Sequence, residues 1–524
     1  MNSIGRRILW VDDEIELLRP HLLLLQQRGF HVDAIPNGDD ALALLKEQSY
    51  DLVLLDEQMP GRRGLEVLEV LRRDDPFARV VMITKSEQDR TLTEAIGRRV
   101  DDYLVKPTSP LQVVSAVTRI LQGRSIRQQQ TAQDFAARFP SLSRAREDAE
   151  TPEEYMDVYA ELVDWHLRLE EAGEAGLLES VDGLTHELRR DFGFRIRNQY
   201  PEWVRGTRKN RPTLSVDLVR EELLPIMGDK PVFFVILDCM RLDQWRAMVP
   251  LLSASFEVEE RHYLSILPTA TPYSRNAIFS GLFPDEIEEK HPGWWDSFSD
   301  EGSVNDFEDE LLRTQLRRLT GKAVPVHYEK VFTDRDADAI RARVRSGFKE
   351  KGAVVALVSS FVDLMTHGRS ESQVLMEMAR DDASLRDLTL AWFERSLVFQ
   401  LLREAAAAGI SVLITTDHGS VHCHRPSTVF ARKDATPSLR YKFGADLRAE
   451  KSDTVFATSD PGDLRLPPPD RLGTQYVLAM EDYFLVYPTR LREYQARYRG
   501  SFLHGGVSPD EMILPVARLT PRAR

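Results

Sequence analysis

The chain has 524 residues, too many for one ordinary core, so two to four domains are expected. Hydrophobic residues make up 42% and charged residues 29%, the proportions of a soluble globular protein. The net charge of −14 argues against wholesale non-specific binding to nucleic acid or an anionic membrane. Two cysteines, Cys239 and Cys423, make no disulfide framework and fit a reducing cytosol. The opening MNSIGRRILWVDDE lacks the apolar core and cleavage site of a signal peptide, and the longest apolar runs, such as VFFVIL (232–237), are too short to span a bilayer. A cytoplasmic protein without membrane insertion is expected.

Residues 1–123 alternate short apolar runs with helical periodicity. ILWV (8–11), a weak HVDAI (31–35), LVLL (52–55), VVMIT (80–84) and DYLVK (102–106) read as strands, separated by segments such as ALALLKE and LEVLEVLRR. That alternation implies a parallel, doubly wound α/β sheet. Its strands run into Asp12, Asp13 and Glu14, into Asp56, into Thr84 and into Lys106. The carboxyl ends of parallel strands line one crevice, so these groups converge. Three carboxylates make a hard oxygen site suited to Mg²⁺, and a lysine with a hydroxyl can hold a transferred phosphoryl group.

Residues 124–212 are rich in Gln, Arg, Glu and Ala and carry no strand signal. TPEE places Thr151 as an N-cap and Pro152 at the first helical position. An all-α connector bundle is expected, either a spacer or an active coupling element. Residues 213–524 return to α/β. VFFVIL, VVALVSS (354–360) and VLITT (412–416) read as buried central strands. Long helices are expected between them, notably over 374–408, with DLRLPPPDRLG (463–473) as a surface loop.

These strands again end in ligand-type residues: Asp238; Asp363, with His367 four residues on; and Asp417 with His418. His504 precedes two glycines in FLHGGVSPDEMILPV. Two divalent ions sharing this set would each take about three protein ligands, and mixed His and carboxylate donors favour Zn²⁺ or Mn²⁺ over Ca²⁺ or Mg²⁺.

VDDE, LLDEQMPG, MITK and YLVKP resemble a two-component receiver domain. The resemblance implies Asp56 as phosphoacceptor, with Mg²⁺ held by Asp12, Asp13, Asp56 and the Gln58 carbonyl. Thr84 and Lys106 would contact the phosphoryl group, and Tyr103 would follow the switch. Receivers signal through the face formed by their last strands and helices, so dimerisation on phosphorylation is expected there. The tail shows no helix-turn-helix, and the acidic balance disfavours a dedicated DNA-binding domain.

TTDHGS and HGGVSPDEMILPV resemble the alkaline phosphatase superfamily in its nucleotide phosphodiesterase arrangement, and within it a PglZ domain. That resemblance implies one zinc on Asp363, His367 and His504. A second would sit on Asp238, Asp417, His418 and a nucleophilic hydroxyl. In ILPTATPYSRNAIFSG (266–281), Thr271 precedes Pro272 and is expected to N-cap the helix 272–280, beside unpaired amides and the positive end of the dipole, where a phosphate and an alkoxide are favoured. Thr271 is therefore the expected nucleophile, and Thr269 shapes the approach to it. Arg275 and Asn276 are candidate substrate contacts, or simply exposed helix polarity. Arg440 and Lys442 in LRYKFG (439–444) are candidate phosphate or nucleotide ligands, or part of an ordinary surface strand.

The order receiver, connector, PglZ resembles the PorX-like response regulators linked to the type IX secretion system. It implies a sensor histidine kinase as phosphodonor, two Zn²⁺ in the tail, and phosphodiesterase activity on nucleotide or oligonucleotide substrates. Type IX secretion components or a sigma factor would be partners. The alternative is a phospho-switched interaction scaffold whose metal site is structural.

Overall fold

The computed structural model describes residues 6–75, 78–85, 100–208, 210–294, 305–332, 336–368, 372–431, 436–469, 473–489 and 491–522. The chain forms two compact units, Met1–Ala137 with Leu169–Glu174, and Arg138–Arg168 with Ala175–Arg524.

In the first unit five strands form one sheet, Arg7–Val11, His31–Ile35, Leu52–Asp56, Val80–Thr84 and Asp102–Val105, in spatial order second, first, third, fourth, fifth. All pairings are parallel. Strand alternation splits the apolar runs between two cores. Ile8, Trp10, Leu52, Leu54, Val81 and Ile83 pack on one face, and Leu9, Val11, Val53, Leu55, Val80 and Met82 on the other. Burial on both faces is why the central runs are continuously apolar, and the half-buried edge strand is why HVDAI is weak. Residues 86–99, part of the face expected to mediate dimerisation, lie outside the described residues.

The helix Pro110–Asp148 runs on through position 123, where a domain boundary was expected. Pro152–Ala172 and Ala175–Val204 follow. TPEE starts the first of these as expected: the Thr151 hydroxyl accepts from the Glu154 N–H at 3.3 Å, and the Glu154 carboxylate accepts from the Thr151 N–H at 2.9 Å. Val181, Leu184, Leu188, Phe192, Ile196, Tyr200 and Trp203 give the next helix a buried stripe at intervals of three and four.

The large sheet of the second unit has the order Phe256–Leu264, Ile513–Pro521, Ser411–Thr415, Val232–Leu237, Val354–Ser359, Val326–Val331. The last four are mutually parallel. Ile513–Pro521 runs antiparallel to both its neighbours, so Phe256–Leu264 shares the direction of the parallel set. Segments leaving residues 237, 264, 359 and 415, and the one entering 513, therefore all emerge at the same end of the sheet. This is the crevice where open α/β sheets place their sites.

Three expectations are corrected. Residues 374–408 form three helices, Gln373–Met378, Asp382–Arg395 and Leu397–Ala407. Asp381 and Ser396 cap the second and third through bonds from Ser384 and Phe399 N–H, and each cap breaks the chain direction. The loop 463–473 is not a plain surface loop, because Leu464 and Leu466 are buried. LRYKFG is not a surface strand: Tyr441–Ala445 starts with three buried residues and pairs with Thr474–Ala479. It belongs to a set of short strands between His418 and His504. No helix among the described residues is long and apolar enough to cross a membrane.

Candidate functional site

At the carboxyl end of the receiver sheet, Asp12, Asp13 and Asp56 bring carboxylate oxygens within 4.8 Å of one another. Lys106 Nζ lies 2.8 Å from Asp56 and 2.9 Å from Asp12. Burial raises the Asp56 pKa, with help from the charge of Asp12, and the bond from Lys106 opposes it. Burial works to lower Lys106, but its bonds to Asp56 and Asp12 outweigh this and hold it above the usual lysine range. Asp56 Oδ1 is buried and makes no hydrogen bond. A cation or a phosphoryl group suits such an orphaned oxygen. The Gln58 backbone also works to lower the Asp56 pKa. Thr84 is buried and Tyr103 is 41% exposed.

In the second unit two further clusters assemble. Asp363 and His367 lie one turn apart on the helix Phe361–Gly368, and His504 joins them. Their facing atoms are 2.8 Å (His367 Nε2 to His504 Nε2), 3.3 Å (His367 to Asp363) and 3.5 Å (His504 to Asp363) apart. Tetrahedral ligands about 2.0–2.1 Å from zinc stand about 3.3 Å from one another. Burial works to raise Asp363, but the two imidazoles outweigh it and hold the carboxyl well below its usual range.

Asp238, Asp417 and His418 form the other cluster, all buried. His418 Nε2 is 3.7 Å from Asp238 and 3.9 Å from Asp417. Burial, and then the neighbouring His504, keep His418 well below the usual imidazole range, in the neutral form a metal requires. Burial, and then the charge of Asp238, push Asp417 well up, while Arg275 opposes. Asp417 Oδ2 makes no hydrogen bond although buried. Asp238, Asp417 and Glu308 share the Arg275 guanidinium, which leaves excess negative charge. A buried unbonded oxygen, a neutral histidine and clustered carboxylates are a set that could hold a divalent cation.

Thr271 stands at this second cluster, with Oγ1 3.0 Å from His418 Nε2 and 3.4 Å from Asp238 Oδ1. It is not the N-cap. The helix is Thr271–Ser280, its N-cap is Ala270, and no side chain caps it. The Tyr273 and Ser274 N–H groups both donate to Ala270 O, so much of the expected amide cradle is used within the turn. The hydroxyl, freed from capping, faces the acids and His418 instead.

The structure buries the four candidate substrate contacts. Arg275 is 2% exposed and committed to Asp238 and to Glu308. Asn276 is fully buried and donates to Pro272 O at 3.0 Å. Arg440 is fully buried, paired with Glu511 and bonded to the carbonyls of Glu481 and Tyr483. Lys442 is 2% exposed, donates to Thr436 O at 3.1 Å and lies over the Tyr487 ring, and burial pulls its pKa down to about 8. Each is a cation or amide folded inward, Arg275 and Arg440 by partners distant in the chain and Asn276 and Lys442 by near ones. Thr269 is buried; its hydroxyl donates to Gly506 O at 2.9 Å and accepts from the Gly505 N–H at 3.0 Å, so it ties down the turn that carries His504.

The residues absent from the sequence expectations are those behind the ligands. Glu308 braces Arg275 and accepts from Tyr328 and from Asn305. Glu511 accepts from the Gly506 N–H at 2.9 Å, the Ser508 hydroxyl at 2.7 Å and Arg440. Only Glu511 carried a signal, its place in the SPDE that follows HGGV.

Comparison with known proteins agrees with this layout. Residues 219–519, more than half the chain, match the family described as BREX system PglZ alkaline phosphatase-like domain. Residues 8–118 match the response regulator receiver domain, and 125–204 the PorX response regulator linker domain. The chain belongs to the PglZ family and is a PorX-like response regulator. Its output domain is thus alkaline-phosphatase-like, and its N-terminal part is a receiver. None of the three matched families is described as DNA-binding.

The receiver is similar to that of the transcriptional regulatory protein ResD of Bacillus subtilis, 36% identical over 23% of this chain and 49% of ResD. It is also similar to AlgB, the alginate biosynthesis transcriptional regulatory protein of Pseudomonas aeruginosa, at 38% over 23% of this chain and 27% of AlgB. The chain thus spans half or less of the length of these relatives. Among solved structures it is similar to TrrA of Thermotoga maritima, 33% identical over 22% of this chain and 99% of TrrA, with a TM-score of 0.21.

Proposed function

We propose that the PglZ domain is a two-zinc phosphodiesterase acting on nucleotide or oligonucleotide diesters through Thr271, and that phosphorylation of Asp56 controls it. The observation that carries this reading is the Thr271 hydroxyl, uncommitted to its helix and 3.0 Å from His418 beside Asp238. Asp363, His367 and His504 would hold one zinc; Asp238, Asp417, His418 and Thr271 Oγ1 would hold the other. When bound, the ions would polarise the phosphoryl oxygens and lower the pKa of the hydroxyl and of water.

The residues then act as follows. Thr271 Oγ, its proton lost to solvent, attacks phosphorus in line. The bond to the leaving alcohol breaks and that oxygen is protonated, leaving a phosphodiester-linked threonine. Water adds to phosphorus, the Thr271–phosphorus bond breaks, and a monoester departs as the hydroxyl is restored. Arg275 holds Asp238 in place from behind, a carboxylate orienter of the kind that ligand shells require.

In the same reading a sensor histidine kinase phosphorylates Asp56, with Mg²⁺ on Asp12, Asp13 and the Gln58 carbonyl. Thr84 and Lys106 hold the phosphoryl group, Tyr103 follows, and the chain homodimerises. The output would serve type IX secretion, through its components or a sigma factor. A sedimentation experiment with beryllofluoride tests the dimer: an unchanged mass refutes it. The chemistry is tested with zinc-loaded protein on a chromogenic bis-phosphodiester. Thr271→Ala should abolish turnover, and Asp56→Ala should change its response to phosphorylation. Equal turnover in wild type and Thr271→Ala sinks the enzyme reading.

A further inference from the structure

Asp510 faces the metal ligands with its backbone and the connector helices with its side chain. It stands six residues after His504. Its carbonyl oxygen is packed so closely on Gly419, next to His418, that a Cβ at 419 would overlap it. The Gly419 N–H donates to Glu511 O at 3.1 Å, and the Gly506 N–H donates to the Glu511 carboxylate at 2.9 Å. The turn after His418 and the turn after His504 are thus seated on one dipeptide, Asp510–Glu511.

The Asp510 carboxylate points the other way. Arg189, on the helix Ala175–Val204, grips it with two bonds, Nε to Oδ2 at 2.8 Å and Nη2 to Oδ1 at 2.7 Å. The Tyr159 hydroxyl, on the helix Pro152–Ala172, lies 3.3 Å from Oδ1. A bidentate guanidinium fixes angle as well as distance, which one charged contact does not. The acid is 12% and the arginine side chain 25% exposed, so the grip is only partly screened. Asp382 adds its field to Arg189 and pairs with Arg241, three residues beyond Asp238.

We propose that Arg189, assisted by Tyr159, is a positioning residue of the metal site: through Asp510 it sets the two turns that carry His418 and His504. The proposal rests on the two-metal reading above. It makes the connector a determinant of zinc affinity.

Zinc affinity is measured on the full chain by competition with a chromogenic chelator, beside kcat and KM on the bis-phosphodiester. Arg189→Ala is expected to weaken zinc binding about tenfold or more and to lower kcat by a similar factor. KM should stay within about twofold, since no substrate contact is removed. Arg189→Lys keeps the charge but not the fork and should fall between. Arg190→Ala, at a neighbouring side chain 64% exposed, should change neither. Wild-type zinc affinity in Arg189→Ala overturns the proposal. If that variant does not fold, Arg189→Lys and Tyr159→Phe decide: weakened zinc binding in the lysine variant supports it, and wild-type affinity in both overturns it. A wild-type chain that binds zinc without turnover sinks the phosphodiesterase reading alone, and chelator competition still reads Arg189. A wild-type chain that binds no zinc overturns both.

Discussion

Replacing Glu511 by Gln removes one charge from a fully buried pair and should be among the most damaging isosteric changes in the PglZ domain. Arg440 and Glu511 both have no exposed side-chain surface. The carboxylate takes two bonds from Arg440, one from the Gly506 N–H and one from the Ser508 hydroxyl. Glutamine keeps one acceptor oxygen and turns the other, at Oε2, into an amide nitrogen, whose only possible acceptor there is the Ser508 hydroxyl. Breaking one partner of a buried pair costs roughly 3–5 kcal/mol, because the guanidinium left behind is uncompensated. The same substitution replaces a charged acceptor by a neutral one at the Gly506 N–H and weakens that hold, so zinc affinity should fall on the order of tenfold to a hundredfold. Urea unfolding followed by tryptophan fluorescence reads the first effect, and chelator competition the second. Arg440→Met combined with Glu511→Gln should recover much of the stability and little of the zinc affinity. A loss below about 1 kcal/mol, the scale of an exposed pair, refutes the reasoning.

Three further outcomes follow from the same geometry. Gly419→Ala puts a methyl into the Asp510 carbonyl. It should lower zinc affinity at the His418 site more than it lowers the unfolding midpoint, as isothermal titration against wild type would show. Chelation of zinc at a hundredfold excess over its Kd should withdraw about 2.7 kcal/mol per site, visible as a drop in the melting temperature that zinc restores. Lys442→Met should stabilise the fold at pH 7 by up to about 3 kcal/mol, since burial depresses the amine from 10.5 to about 8. The unfolded chain holds more protons between those values, so wild-type stability rises with pH across that window. The advantage of Met should shrink over the same range and be gone above about pH 10.5; an advantage unchanged from pH 7 to 11 contradicts this.

The candidate metal ligands were legible because fully buried parallel strands must be continuously apolar, so an Asp that ends such a run stands out. Asp238, Asp417 and Asp56 all do so. Asp363 and His367 added helical spacing, and His504 its glycine pair. What failed was the assignment of cations. Arg275 and Arg440 sit in polar-looking stretches and pass for substrate ligands, but their partners Glu308 and Glu511 lie 33 and 71 residues away. A buried ion pair made by distant segments leaves no local pattern. The Thr-Pro pair located the helix start within one residue, yet not the use of the hydroxyl, which depends on where Asp238 and His418 arrive. The short strands between His418 and His504 run two to six residues and are too brief for their alternation to stand out.

The most direct test is to trap the covalent step. Zinc-loaded protein is mixed with excess bis-phosphodiester, quenched in acid during the burst, digested, and the peptide covering 266–281 sequenced by mass spectrometry. A phosphoryl adduct on Thr271 is expected, absent in Thr271→Ala and lost as the substrate is consumed. Turnover with Thr271 unmodified at every quench time, or an adduct on another residue, contradicts it.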